Sequence, residues 1–314
     1  MKTPQDISAS PVLFMLASTF SLSLTGLMSK LLTDSIAPSA LSFLRFAVPA
    51  LLIGLMISRS SWTLPRGQIR KALWVRALCI AACQICFIYA LSHLSLVESV
   101  VLFGTGPLFI PVLEKLIFRT AIGAIALWGL TLTFVGVVLL AGEWGALTVK
   151  PALLVGLLAG LFNAGSQLSL YRVSHSSMSS LAINLWTFVF AALLVAPYLI
   201  WQAATSAPLV SPLTGYSFHW GWALLALLIV LMSLLIINTQ VFRAKAYRLA
   251  ASGSQLAPLI FTNLIFSTLW QWAFYDEHYH LWQWIGLSII VLANVMVVLV
   301  PHWQNKKPKL LWNR

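Results

Sequence analysis

Phe87 to Phe118 reads FIYALSHLSLVESVVLFGTGPLFIPVLEKLIF. It holds more apolar residue than one bilayer crossing needs, and His93, Ser95, Glu98 and Ser99 interrupt it in the middle. The stretch therefore predicts a helix, a tight outer turn and a second helix. Gly104, Gly106, Pro107 and Pro111 lie in that second helix. Such residues bend or loosen a helix and admit close neighbours, which lipid tolerates only where the freed backbone faces protein or a water-filled cavity. A weaker copy, FRAKAYRLAASGSQLAPLIFTNLIFSTLWQWAFYDE, runs from Phe242 to Glu277. A fold that repeats its least regular helix pair places its working cavity there, so these four residues are read as a gating helix.

The remaining chain agrees with a lipid setting. Of 314 residues 60% are apolar and 8% charged, with a mean hydropathy of +0.91, more apolar surface than a soluble globule can hide. Charges cluster between ten apolar runs, each long enough to cross the hydrocarbon: 11–32, 38–58, 73–92, 96–118, 121–142, 151–172, 177–202, 220–242, 253–274 and 281–300. The first run is flanked only by Lys2 and lacks a small-x-small exit, so it is expected to be a retained helix and not a cleaved signal.

The net charge of +12 follows the spans. With the N-terminus in the cytoplasm, Lys2, Arg59, Arg66, Arg70, Lys71, Arg76, Lys115, Arg119, Arg172, Arg243, Lys245, Arg248, Lys306, Lys307, Lys309 and Arg314 fall inside. Lys30 and Lys150 fall outside, and Arg45 stays within a span. This asymmetry predicts cytoplasmic termini and makes the basic balance an orientation signal, with no nucleic acid as partner.

Cys79, Cys83 and Cys86 form one stripe in the third run. Three thiols suit a soft metal, but no fourth matching ligand is visible, and packing accounts for small polarizable residues on a helical face. Neither a disulfide framework nor a metal or other cofactor is expected.

After Glu143 and Trp144 the pattern restarts: Phe162 to Arg172 aligns with Phe20 to Lys30, and SLAINLWTFVFAAL (Ser180 to Leu193) with SALSFLRFAVPALL (Ser39 to Leu52). Five is odd, so two such units in one chain sit in opposite orientations. The expected fold is an all-α integral membrane protein of ten transmembrane helices arranged as two inverted five-helix repeats. Residues 1–10 form a cytoplasmic leader, 11–145 the first repeat, 150–300 the second, and 301–314 a basic cytoplasmic tail.

Several of these features, in order and spacing, resemble a known family. They are the five-plus-five plan, Leu44 to Phe46 (LRF), FIYALSHLS at the end of the third helix, Gly106-Pro107, and Glu277 followed by Gln283-Trp284-Ile285-Gly286. Over residues 11 to 300 the chain resembles the EamA-type transporters of the drug/metabolite transporter superfamily. It departs from the family pattern at Arg119-Thr120, where Gly-Glu is usual, and at Thr262, where Pro is usual. The resemblance implies a cavity between the repeats that opens alternately to each side, used mainly to export metabolites.

Candidate site residues follow from what lipid penalises. Arg45, an ionisable group in a span, either grips a substrate carboxylate or phosphate or is structurally paired or snorkelling. Glu98 is its expected partner and a candidate for proton coupling, with capping as the alternative. Trp186 occupies the position in the seventh helix that Arg45 occupies in the second. Trp186 and Trp270 either stack on a substrate or pack. Asn163 and Gln167, one turn apart, should point inward as cavity lining or as interhelical links. Gly156, Gly160 and Ala164 make a small-residue track read as internal packing. Asp276, Glu277, His278 and His280 form a loop with weak metal or hydrolase character. No phosphate loop, dinucleotide fingerprint or nucleophile elbow occurs.

The sequence thus points to a secondary transporter of a small polar or amphipathic metabolite in a bacterial inner membrane. It would be an exporter, monomer or homodimer, with a small-molecule substrate and the lipid bilayer as partners. Exchange or uptake of a charged metabolite, a membrane-embedded enzyme using the His and acid loop, and a non-transporting scaffold are the alternatives.

Overall fold

Backbone polar groups cannot be left open in hydrocarbon, so chains of this composition satisfy them within helices. The computed structural model describes residues 9–57, 63–106, 108–109, 112–113, 124–140, 151–205, 209–210, 218–249, 257–260, 262–275 and 280–306. Among these there is no strand, only one isolated bridge, Ile36 with Val210. The helices are α1 (Ala9–Leu32), α2 (Pro38–Met56), α3 (Gly67–His93), α4 (Leu96–Phe103), α5 (Ala124–Leu140), α6 (Pro151–Ser174), α7 (Ser180–Thr205), α8 (Phe218–Leu249), α9 (Ala257–Ile260), α10 (Thr262–Phe274) and α11 (Leu281–Lys306). Six of them, α1, α2, α3, α6, α7 and α8, contain segments long and apolar enough to cross a membrane. α5 and α11 contain shorter apolar stretches, Leu127–Gly136 and Leu281–Ala293.

α3 and α8 extend past the expected runs. α3 begins at Gly67, six residues before the apolar run starts, and α8 continues to Leu249, seven past its end. Arg243, one residue past its expected run, is consequently buried in a helix at 2% exposure; Arg76, already inside the run over 73–92, is buried at 0% although the charge pattern counts it with the cytoplasmic charges. Hydropathy ends a span at the first charges, but a helix whose charged face looks into protein can continue.

The expected helix over 96–118 is interrupted: α4 stops at Phe103, with Gly104 as its C-cap and a turn at Gly104 and Thr105, and the described residues beyond, Gly106, Leu108, Phe109, Val112 and Leu113, are again helical. Pro107 and Pro111 lie outside the described residues. The tight turn before α4 is closed by a capping box. The Ser95 hydroxyl accepts from Glu98 N at 3.1 Å, while Glu98 Oε2 accepts from Ser95 N at 2.9 Å and from Ser95 Oγ at 2.8 Å.

α3 packs along α6, α1 along α8, α5 along α11 and α2 along α7, with further contacts of α1 with α10 and α4 with α6. Small residues allow these approaches. A Cβ on Gly156 would meet Leu102 Cδ1 at 2.7 Å, and one on Gly160 would meet Leu102 O at 2.7 Å, so the small-residue track of α6 seats α4. A Cβ on Gly136 would meet Gly286 O at 2.8 Å where α5 crosses α11.

Candidate functional site

The seam between α1 and α8 is held by polar pairs. Ser18 Oγ donates to Thr239 O at 2.8 Å, and Asn238 Nδ2 donates to Ser21 Oγ at 2.7 Å. α10 joins a different face of α1: the hydroxyls of Thr19 and Thr262 lie 2.8 Å apart, and Trp270 Nε1 donates to Ser23 Oγ at 3.0 Å. Thr262, placed where the resembled family has Pro, thus supplies a cross-helix hydrogen bond.

Beside this seam lies a narrow, partly open cavity of about 50 Å³, lined by residues of α1, α2, α3, α4, α6, α7, α8 and α10. α3 turns Ile80, Cys83, Gln84 and Phe87 to it, and α8 turns Ile236, Thr239, Gln240 and Arg243. Both sets recur at three- and four-residue spacing, one face of a helix. Arg45 enters from α2, and Asn163, Ser166 and Gln167 from α6.

The amides of α6 form a chain. Gln167 Nε2 donates to Asn163 Oδ1 at 3.1 Å, and Gln167 Oε1 accepts from the Tyr247 hydroxyl at 3.2 Å. Gly106 must be small here, since a Cβ would lie 3.1 Å from Asn163 Nδ2 and 3.3 Å from Gly160 O.

The arginines are less well satisfied. Arg45, 5% exposed, donates through Nη1 to Ser29 Oγ and faces Met232 Sδ at 3.7 Å, while its Nε has no partner. Arg243 Nε and Nη2 have none. Arg76, just behind the wall, donates through Nη2 to Asn184 Oδ1 at 2.9 Å and to Gln240 Oε1 at 3.2 Å, leaving Nε and Nη1 unpaired. Gln84 Nε2, Thr239 Oγ1 and Asn263 Oδ1 complete a set of unpartnered polar atoms around one space. Buried polar atoms normally have partners, so these atoms leave hydrogen-bonding capacity directed at the cavity.

The expected Arg45–Glu98 pair does not form. Glu98 spends its carboxylate on the cap of α4, and Arg45 turns to Ser29. The described acids, Glu98 and the exposed Asp34, do not line the cavity. Trp186 and Trp270 are also absent from the lining. Trp186 Nε1 donates to Thr63 O at 2.9 Å and its ring lies 5.7 Å from Phe190; Trp270 is held by Ser23 beside Phe20. Cys79 sits against Gly165 of α6 while Cys83 faces the cavity, so the cysteine stripe is divided between two surroundings. Asp276, Glu277 and His278 lie outside the described residues, and no metal-binding cluster occurs among those described.

Arg243 and Arg76 are the site residues that the charge pattern misplaces. The spacing of Gln240, Arg243 and Tyr247, three and four apart on an extended α8, is the signal that could have found the first.

The EamA-like transporter family model matches residues 9–142 and again residues 150–299. The chain belongs to the EamA-like transporter family. It is thus a multi-pass membrane transporter of the drug/metabolite transporter superfamily. Among curated proteins it is similar to the pseudopaline exporter CntI of two strains of Pseudomonas aeruginosa, with 26% identity over 272 residues, spanning 87% of this chain and 90% of each relative. A solved crystal structure shares the fold over 95% of this chain and 99% of its own, with a TM-score of 0.61 at 16% identity.

Proposed function

We propose that this chain exports a small polar metabolite by alternating access, through a cavity between two five-helix repeats of opposite orientation. The repeats are 11–145 and 150–300, between a cytoplasmic leader (1–10) and tail (301–314), in a bacterial inner membrane with both termini inside. The observation that carries the reading is the set of unpartnered polar atoms drawn from both halves around one cavity.

Two further features support it. The family matches twice, in consecutive segments, and exchanging the halves maps the α1–α8 contact onto the α3–α6 contact. The ends of α3 and α6 also carry the same device. In YALSH and YRVSH, the histidine Nδ1 lies 2.9 Å from the tyrosine carbonyl four residues back, His93 on Tyr89 and His175 on Tyr171. A cation from another helix then holds each end. Lys30 Nζ donates to Leu91 O at 2.8 Å and Leu94 O at 2.6 Å; Arg248 donates to Ser174 O at 2.9 Å and to Met178 O. Lys and Arg on C-terminal carbonyls are favoured by the helix dipole. In the inverted arrangement the two fastenings sit at opposite membrane faces, where alternate release would open one side at a time.

The relatives named as pseudopaline exporters support the outward direction. In the substrate reading, Arg45, Asn163 and Gln167 bind solute, and Arg243 joins them. Trp186, Trp270 and Glu98 hold structure, and Gly106 lets the backbone after α4 lie close against α6. Exchange of a charged metabolite is the second reading, favoured by the buried arginines.

The test is flux in vesicles reconstituted with the full chain, loaded with a panel of labelled metabolites. The reading expects a saturable flux of at least one polar solute above protein-free vesicles. Stimulation by unlabelled solute on the far side would move it to exchange, and a flux no greater than that of empty vesicles for every solute would remove it.

A further inference from the structure

Two guanidinium groups reach the cavity from different halves of the chain, Arg45 on α2 and Arg243 on α8. Each is at least nine-tenths buried and has N–H groups with no acceptor. An unpaired charge in such a place costs several kcal/mol, and it is normally relieved by an anion or a counter-charge. No described acid lines this wall.

Arg76 adds to the positive field. Its Nη2 donates to Gln240, which itself lines the cavity. Cys83 lines the cavity together with Arg45 and Arg243, so the two guanidinium groups border one space. The remaining polar lining, Gln84, Asn163, Gln167 and Asn263, consists of neutral amides. These suit hydroxyl, amine or amide groups between the charged ends of a solute.

We propose that the transported solute is an organic anion bearing at least two carboxylates, one taken by Arg45 and another by Arg243. The proposal rests on the transport reading above and narrows its substrate class. Guanidinium forks match carboxylates bidentately, and two forks on different helices fit two separated carboxylates better than one compact anion. A single phosphate would satisfy one fork and leave the other unpaired.

The probes are citrate and glutarate, with acetate, dimethyl glutarate, inorganic phosphate and glycerol 3-phosphate as comparisons. Binding is read as the shift in thermal unfolding midpoint of the detergent-solubilised full chain against probe concentration, since a ligand of the folded state raises that midpoint in a saturable way. Citrate or glutarate should bind at least about tenfold more tightly than acetate or the diester, the loss expected when a charge-assisted hydrogen bond is left unmade. Arg45→Gln and Arg243→Gln should each weaken binding by a similar factor, and Arg45→Lys and Arg243→Lys should recover part of it.

Equal shifts from glutarate and its diester would overturn the proposal in the unaltered protein, whether or not the variants fold. Tighter binding of glycerol 3-phosphate than of either polycarboxylate would overturn the carboxylate class. If vesicles carry neutral solutes and no polycarboxylate binds, this inference fails while the transport reading stands. If polycarboxylates bind as expected and no solute crosses, the transport reading fails and the anion site remains.

Discussion

The α1–α8 seam and the cavity beside it are built from similar polar residues, yet they differ in what those residues touch. In the seam, Ser18, Ser21 and Asn238 find partners across the helix boundary, and Thr19 and Ser23 do so with α10. In the cavity, Arg45, Gln84, Thr239, Arg243 and Asn263 each leave a side-chain atom unpaired. Paired groups fasten helices in lipid, where no water competes. Unpaired groups lining a space await something that enters it. On the proposed function, the difference separates residues that hold the fold from residues that handle a solute, and it can be challenged by substitution.

The largest effect should come from Arg243→Gln. Flux of the transported solute is expected to fall at least about tenfold, with the unfolding midpoint unchanged or raised, because an unpaired buried charge is removed. A lowered midpoint with unchanged flux would put Arg243 on the structural side of the comparison. Next is Gly160→Val, which forces a side chain onto Leu102 and Thr105 where α4 crosses α6. Overpacking should cost about 1–3 kcal/mol in unfolding measurements and reduce the yield of folded protein. Wild-type stability would show that α4 can shift away at no cost.

Glu98→Gln weakens the α4 cap and should cost about 1 kcal/mol, visible as a lower unfolding midpoint. The pH dependence of flux should stay as in the unaltered protein. A changed pH dependence would return Glu98 to a coupling role. The smallest effects belong to the seam. A double-mutant cycle between Ser21→Ala and Asn238→Ala should give a coupling of about 0.6 kcal/mol, typical of hydrogen bonds between membrane helices, with little change in flux. Trp270→Phe should behave likewise, since it loses one hydrogen bond to Ser23 and no contact with the cavity.

This contrast also explains what could be read in the sequence. Most spans were legible because apolar runs of sufficient length leave the backbone one solution. Asn163 and Gln167 were legible as inward-pointing because an amide in a span has nowhere else to go. Trp186 was not: alignment put it at the position of Arg45, but its indole turns to Thr63 O, a contact 123 residues distant in sequence. Arg243 was misread because a charge just past an apolar run looks like a loop residue until the helix is seen to continue beneath it, and Arg76, inside the run over 73–92, was counted with the cytoplasmic charges although its helix buries it. Glu98 was ambiguous between cap and ion pair, and only the position of Ser95 against it separates the two.

The central claim is that the cavity is a positively charged chamber that solvent and solutes can enter. The most direct measurement is mixed-disulfide formation at Cys83, with release of methanesulfinate, in a chain carrying Cys79→Ala and Cys86→Ala, comparing anionic and cationic methanethiosulfonate reagents, each rate normalised to a small free thiol. The account predicts faster modification by the anionic reagent, slowed by citrate and reversed in preference when Arg45 and Arg243 are both replaced by Gln. A cationic preference in the otherwise unaltered chain, or a thiol inert to both reagents, would contradict it.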